Sequence, residues 1–190
     1  MKTYSTLLAL VATLAIGDIA AAGVQTMSQS DGVNVTVIDE GQGRLRGDST
    51  VTLDQSPTGA TSIGRGTAFR SYLIKIDDFD NCEIDDYSAS FEADEPIIGI
   101  QTDVGSLQDG RRTLDDNGFD AGAPAGGIED NDSVTLDGQT VSVDGRVGRN
   151  GVDPIRVFVA AVAVPEAASI AVWGSLCLAG LVGTRRSRND

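Results

Sequence analysis

The chain's clearest structural signal is Val134-Thr135-Leu136-Asp137-Gly138-Gln139-Thr140-Val141. Apolar and polar residues alternate on both sides of Asp137-Gly138, a dipeptide typical of the two-residue type I′ turn, whose central residues need positive φ angles. A turn at these two positions places Val134 opposite Val141 and their side chains on one face. We therefore predict a β-hairpin over residues 134–141.

The rest of the middle of the chain has the same period of two. Short stretches rich in Val, Ile, Tyr and Phe follow one another at intervals typical of antiparallel strands, and no amphipathic helix pattern competes with them. The fold class expected from this series is all-β, an antiparallel β-sandwich with a jelly-roll-like arrangement, over residues 23–163. The Gly- and Asp-rich stretch 103–131 is expected to be a long surface loop, either a functional loop or a disordered one. Further strands are predicted at 33–37, 50–53, 72–76, 87–91, 96–100 and 155–162.

The first 22 residues have the three parts of a secretory signal peptide. A short basic region begins the chain, residues 7–16 form a ten-residue apolar core, and the small residues Ala20 and Ala22 precede Gly23. Ten apolar residues are too few to anchor a chain across a bilayer. We therefore predict an N-terminal signal helix over residues 1–22, which signal peptidase removes by cutting between Ala22 and Gly23. The alternative is a hydrophobic N-terminal helix that belongs to the core.

Residues 164–190 have a different three-part order. Val164-Pro165-Glu166 precedes residues 167–183, which are 17 residues without a charge, and a basic end follows at 184–190. At a rise of about 1.5 Å per residue, such a segment is at the lower limit for a helix that crosses about 30 Å of hydrocarbon. We predict a single transmembrane helix at 167–183, with a permanent tail anchor or a buried C-terminal helix as alternatives. By the positive-inside rule, the basic end with Arg185, Arg186 and Arg188 stays in the cytoplasm. The body of the protein is therefore expected outside the cell.

This tail resembles the PEP-CTERM sorting signal of exported bacterial proteins. The resemblance is carried by Val164, Pro165 and Glu166 directly before the apolar segment and by the terminal arginines. Ala167 departs from the family pattern, because the Val-Pro-Glu-Pro motif ends in proline. The resemblance implies signal peptidase and an exosortase-type membrane enzyme as partners and a transient membrane anchor. It also implies a final location in the cell envelope, at the cell surface or outside the cell, in association with exopolysaccharide.

Composition excludes several classes of function. The chain has 28 acidic and 14 basic residues, a formal net charge of -14, so nucleic acid is not an expected partner. It contains no histidine, which removes Ser-His-Asp and Cys-His catalysis and the usual zinc sites. Because Cys177 lies in the apolar tail and leaves Cys82 alone, no disulfide is expected within the β-domain. We predict that the protein is not an enzyme.

Carboxylates are concentrated between residues 77 and 86, at the end of a predicted strand. Oxygen ligands at this density suit Ca²⁺, although their spacing does not fit an EF-hand. A solvated acidic loop is the alternative, both here and for the shorter acidic cluster at 129–132. No other cofactor is expected, and the candidate calcium ligands are Asp77, Asp78, Asp80, Asp85 and Asp86.

Two functions are compatible with these features. The first is an exported, non-catalytic component of the cell surface or extracellular matrix, which an exosortase-type enzyme sorts and cuts. The second is a calcium-dependent carbohydrate-binding module, in which the acidic loops and exposed aromatic residues such as Tyr72 or Tyr87 contact a surface polysaccharide. The low aromatic content of 5% favours the first function.

Overall fold

The computed structural model describes residues 23–78, 84–124, 126–129, 131–147 and 152–161. The chain divides into two compact units, Met1–Ala160 and Ala161–Asp190, and every helix and strand described below lies in the first unit. The predicted signal peptide, the motif 164–166, the apolar segment 167–183 and the basic end all lie outside the described residues. No helix within the described ranges is long and apolar enough to cross a membrane.

The described residues form ten β-strands and one α-helix. Val, Ile, Tyr and Phe recur in most strands at alternate positions, the pattern that places one face of a strand against a core. The helix, α1 (Val104–Asp116), lies between β7 and β8 in the chain. The strands are β1 (Val24–Gln29), β2 (Val33–Arg44), β3 (Val51–Thr52), β4 (Ser62–Ile63), β5 (Ala68–Asp78), β6 (Ile84–Ala93), β7 (Ile97–Gln101), β8 (Ser133–Asp137), β9 (Thr140–Val147) and β10 (Val152–Ala160).

Eight of these strands make two four-stranded antiparallel sheets. We call the sheet with the order β1-β6-β9-β8 the front sheet and the sheet with the order β2-β5-β10-β7 the back sheet. One core lies between them, formed by front-sheet residues such as Phe91 and Val143 and back-sheet residues such as Ile74 and Val157. The predicted all-β, antiparallel, sandwich-like fold is therefore confirmed.

The jelly-roll-like arrangement that we expected is not observed. In a jelly roll of eight strands, two Greek keys bring the first and the last strand side by side in one sheet. Here β1 and β10, the first and last strands described, lie in different sheets, and β2 pairs with β5 in the back sheet. Period-two patterning predicts strands and their faces, but it does not determine which strands become neighbours.

The predicted hairpin is present, but its register differs from our prediction. The turn is formed by Gly138 and Gln139, with Gly138 at φ 61°, so Val134 pairs with Val143 rather than with Val141. A positive φ at the first central position favours glycine, which explains why the turn lies one residue further along the chain. Because the pairing moves by an even number of residues, the apolar side chains keep the predicted face.

Residues 103–131, which we predicted to be a surface loop, contain a helix. Asp103 caps the start of α1, because its carboxylate accepts hydrogen bonds from two backbone N–H groups of the first turn. Leu107 and Leu114, about two turns apart, are buried on one face of the helix. Two leucines are too few to make the helical period stand out in a polar, glycine-containing stretch, so this part of the prediction was wrong.

Helix α1 and the β3–β4 pair cover the other side of the back sheet and form a second core with it. Phe69 stacks on Phe119 with 5.2 Å between ring centroids, and it meets Phe158 edge-on at 5.5 Å. Strand β10 is therefore buried on both sides, which accounts for its nearly continuous apolar sequence. The domain thus has a third layer that the sequence pattern did not predict.

Candidate functional site

The predicted calcium ligands that the structure describes lie at one end of the domain. Asp77 and Asp78 end β5 of the back sheet, and Asp85 and Asp86 are near the start of β6 in the front sheet. A β-bulge in the pairing of β6 with β9 falls at Asp85 and Asp86. Asp80 lies outside the described residues.

The second acidic cluster comes to the same end. Asp132 accepts two backbone hydrogen bonds, from the N–H of Arg146 at 3.0 Å and from the N–H of Glu129 at 3.3 Å. A side chain at Gly145 would meet the carboxyl carbon of Asp132 at 2.7 Å, so glycine is needed for this close approach. We call this region the acidic end and define it by Asp77, Asp78, Asp85, Asp86, Glu129, Asp132, Asp144 and Asp153.

A cleft of about 440 Å³ opens at the acidic end. Pairing of β6 with β9 and of β9 with β8 brings together residues that are far apart in the sequence. The walls carry hydroxyl groups, two carboxylates, an amide and a guanidinium, which suit a hydrated, hydrogen-bonding ligand better than an apolar one. The residues that line the cleft are Ser30, Asp86, Tyr87, Ser88, Asn131, Ser133, Asp144, Gly145 and Arg146.

A buried carboxyl–phenol pair joins the two sheets at the acidic end. The Tyr87 hydroxyl, in the front sheet, donates a hydrogen bond to Oδ2 of Asp153, in the back sheet, at 3.0 Å, and both residues are buried. Burial raises the pKa of Asp153 to about 6; the Tyr87 hydrogen bond opposes this rise, and the charges of Asp132 and Glu129 add to it. Burial, with the Asp153 charge as the next cause, also raises the pKa of Tyr87. Asp153 therefore changes its charge in the mildly acidic range.

Replacing Asp153 by asparagine is expected to stabilise the protein at neutral pH but not in acid. Folding raises the pKa of this carboxyl, so its contribution to stability is full below about pH 4 and is lost as the pH rises through about 6. Asparagine does not ionise, and its side-chain oxygen still accepts the Tyr87 hydrogen bond. We expect the free energy of unfolding to rise by on the order of 1–2 kcal/mol at pH 7.5 and to be unchanged near pH 4.

Urea unfolding of the parent and of Asp153→Asn at a series of pH values measures this difference. Asp144→Asn is the matched control, because it removes an exposed carboxylate from the same end of the domain. We expect it to change stability by less than about 0.5 kcal/mol at either pH. A gain in Asp153→Asn that is as large at pH 4 as at pH 7.5 would show that ionisation is not its cause.

Calcium binding at the acidic end stays a prediction. Among the residues that the structure describes, no group of three or more carboxylate, cysteine or histidine side chains could hold a metal ion. Each carboxylate oxygen of Asp132 already accepts a backbone hydrogen bond, and Asp153 is paired with Tyr87. Two of the described carboxylates at this end, Asp132 and Asp153, are thus already engaged in hydrogen bonds within the fold.

Tyr72 and Tyr87, which we expected to be exposed, are both buried. Each has 3% of its surface exposed and belongs to the core between the sheets. Tyr72 is in phase with Ile74 and Ile76, so the period-two pattern already contained the signal that it points inward. Every Phe and Tyr within the described ranges is at least nine-tenths buried, so this part of the chain has no aromatic platform for a sugar ring.

Sequence reasoning missed a buried ion pair behind the back sheet. The side chains of Glu40 and Arg156 are both 0% exposed, and Nε of Arg156 lies 2.8 Å from Oε2 of Glu40. The signal that could have revealed it is a charged residue inside the apolar run of β10, because a buried charge needs a partner. Asp153 interrupts the same run and carries the same signal.

Fold and site together define an all-β domain with a polar, acidic cleft at one end. No protein-family model, no curated protein and no solved structure matches the chain.

Proposed function

We propose that this chain is an exported, non-catalytic component of the cell surface or extracellular matrix, sorted and cut by an exosortase-type enzyme. The observation that carries the proposal is the order Val164-Pro165-Glu166, 17 uncharged residues and three closely spaced arginines. An apolar segment of this length holds the motif at the bilayer surface, where a membrane enzyme can reach it.

The proposed route has three steps. The N-terminal segment directs the chain into the secretory pathway, and signal peptidase cuts between Ala22 and Gly23. The basic end then stays in the cytoplasm, while the marginal length of the segment 167–183 suits temporary anchoring. Cleavage near Pro165-Glu166 finally releases the β-domain or attaches it to surface material such as exopolysaccharide.

The surface of the β-domain supports a role outside the cell. Of the large apolar residues in the described part of the chain, those that stand out as exposed are Met27 and Val104. The formal charge of -14 gives copies of the chain a mutual repulsion that opposes aggregation. Two apolar cores supply the buried apolar surface on which its stability depends.

Mass spectrometry of the protein recovered from the cell surface tests this route. We expect a mature N-terminus at Gly23 and the loss of the apolar segment together with the basic end. A surface pool whose chains still end at Asp190 would show a permanent anchor instead.

Three variants test whether the motif directs the cut. Glu166→Ala is expected to accumulate uncut chain, and Ala167→Pro, which completes the family motif, is expected to increase the cut fraction. Ser169→Ala lies inside the apolar segment and serves as the matched control, with no change expected. Processing of all three variants at the parent's level would rule out the motif as the recognition element.

A calcium-dependent carbohydrate-binding module is the second candidate, and the polar cleft is the observation in its favour. Carboxylates and hydroxyls such as those of Asp86, Asp144 and Ser133 can hydrogen-bond to a sugar, and carboxylates can also bind Ca²⁺. The burial of Tyr72 and Tyr87 stands against it. Calorimetric titration with Ca²⁺ and a panel of polysaccharides separates the two functions, because the absence of binding heat with every ligand would remove the module.

A further inference from the structure

Two hydrogen bonds connect Gly23 with Asp94. The backbone N–H of Gly23 donates to Oδ2 of Asp94 at 3.2 Å, and the backbone N–H of Asp94 donates to the Gly23 carbonyl oxygen at 3.0 Å. The next residue, Val24, begins β1, pairs with Ala93 of β6 and is buried in the core between the sheets. The path of the chain is therefore fixed from Gly23 onward.

These contacts define where the β-domain begins. A cut after Gly23 would remove both hydrogen bonds to Asp94, and a cut after Val24 would also remove a side chain from the core. The peptide bond between Ala22 and Gly23 is thus the last bond along the chain whose cleavage leaves all these contacts in place. The small residues before Gly23 indicate the same bond as the signal peptidase site, on independent grounds.

We propose that Asp94 receives the ammonium group that removal of the signal peptide creates on Gly23. In this hydrolysis the C–N bond between Ala22 and Gly23 breaks. The water oxygen goes to the Ala22 carbonyl carbon, which becomes a carboxylate, and both water protons go to the Gly23 nitrogen. The hydrogen bond of 3.2 Å from an amide then becomes a charge-assisted ammonium–carboxylate pair. The inference rests on the proposed export for the enzyme that makes the cut.

The pair between the Gly23 ammonium group and Asp94 lies at the start of an edge strand. Among the described strands, β1 lies at one edge of the front sheet and pairs with β6. Ends of chains are poorly ordered unless they are tied down, and an unprotected sheet edge can pair with other chains. Cleavage before Gly23 removes the preceding segment and creates the ammonium group that pairs with Asp94. The same step therefore stabilises the new N-terminus at the start of β1.

An NMR titration of the α-ammonium group tests this role of Asp94. The chain from Gly23 to Asp190 is compared with the same chain carrying Asp94→Asn, which keeps an acceptor oxygen and loses the charge. We expect the ammonium group of the parent to bind its proton about threefold more tightly than that of the variant, as in an exposed ion pair. Asp31→Asn is the matched control, because Asp31 is an exposed residue in the turn after the other end of β1. We expect it to behave like the parent.

Equal proton affinities in the parent and in Asp94→Asn would overturn the inference. An equal loss in Asp31→Asn would also overturn it, because the effect would then come from net charge. The amide resonances of Ala93 and Asp94 report whether β1 is paired in each variant. Failure of the proposed export is seen separately, in the mass spectrum of the surface pool, since the titrated chain already begins at Gly23.

Discussion

Replacing Arg156 by methionine is expected to lower the free energy of unfolding by about 3–5 kcal/mol. Arg156 and Glu40 form an ion pair whose side chains are both fully buried. Methionine occupies much of the space of the arginine stem, but it leaves the Glu40 carboxylate buried without a countercharge. Most of the expected loss comes from that uncompensated charge rather than from the net contribution of the intact pair.

The pair is also the centre of a network that holds the helix layer on the back sheet. Arg156 donates hydrogen bonds to the side-chain oxygen of Gln101 and to the carbonyl oxygens of Leu107 and Gly122. Glu40 in turn accepts the N–H of Gly122 at 2.9 Å. Leu107 belongs to α1 and Gly122 to the segment that follows it, whereas Gln101 and Glu40 lie in the back sheet. Loss of Arg156 therefore removes buried hydrogen bonds that join the two layers.

Urea unfolding followed by circular dichroism measures the loss. Arg111→Met is the matched control, because it breaks an exposed ion pair with Asp115 and should cost less than about 0.5 kcal/mol. The double variant Glu40→Leu/Arg156→Met removes both charges and is expected to be more stable than Arg156→Met alone. A loss below about 1 kcal/mol in Arg156→Met, or a double variant less stable than the single one, would contradict this account.

The strands of this fold could be predicted because burial leaves a periodic trace in the sequence. The run at 155–162 is apolar at nearly every position because β10 has a core on each side. The hairpin kept its faces despite a wrong register, since its pairing moved by two residues. The strand order and α1 could not be predicted, because they depend on contacts between residues far apart in the chain.

The acidic end could be predicted only in part, for the same reason. The run at 77–86 is visible in the sequence, but nothing local shows that it meets the loop at 129–132. Asp153 and Tyr87 are 66 residues apart and become partners only when the two sheets face each other. A carboxylate within an apolar strand does predict a paired or protonated group, although it does not identify the partner.

Replacing Phe69 by alanine is expected to lower the free energy of unfolding by about 3–5 kcal/mol. The Phe69 side chain is fully buried in the second core, parallel to the Phe119 ring within 4° and at 82° to the Phe158 ring. Phe158 belongs to β10, whereas Phe119 follows α1, so Phe69 links the back sheet to the helix layer. Alanine would leave a cavity between two rings that belong to different layers, and the cost grows with the volume left empty.

Phe69→Leu separates the loss of volume from the loss of ring contacts. Leucine fills most of the site, so we expect urea unfolding to show a loss of about 1–2 kcal/mol. Met27→Ala, at a side chain that is 60% exposed, should change stability by less than about 0.5 kcal/mol. If the free energy of unfolding of Phe69→Ala fell by no more than that of Phe69→Leu, the second core would be able to collapse around the smaller side chain. The attachment of the helix layer would then depend on the Arg156–Glu40 network rather than on aromatic packing.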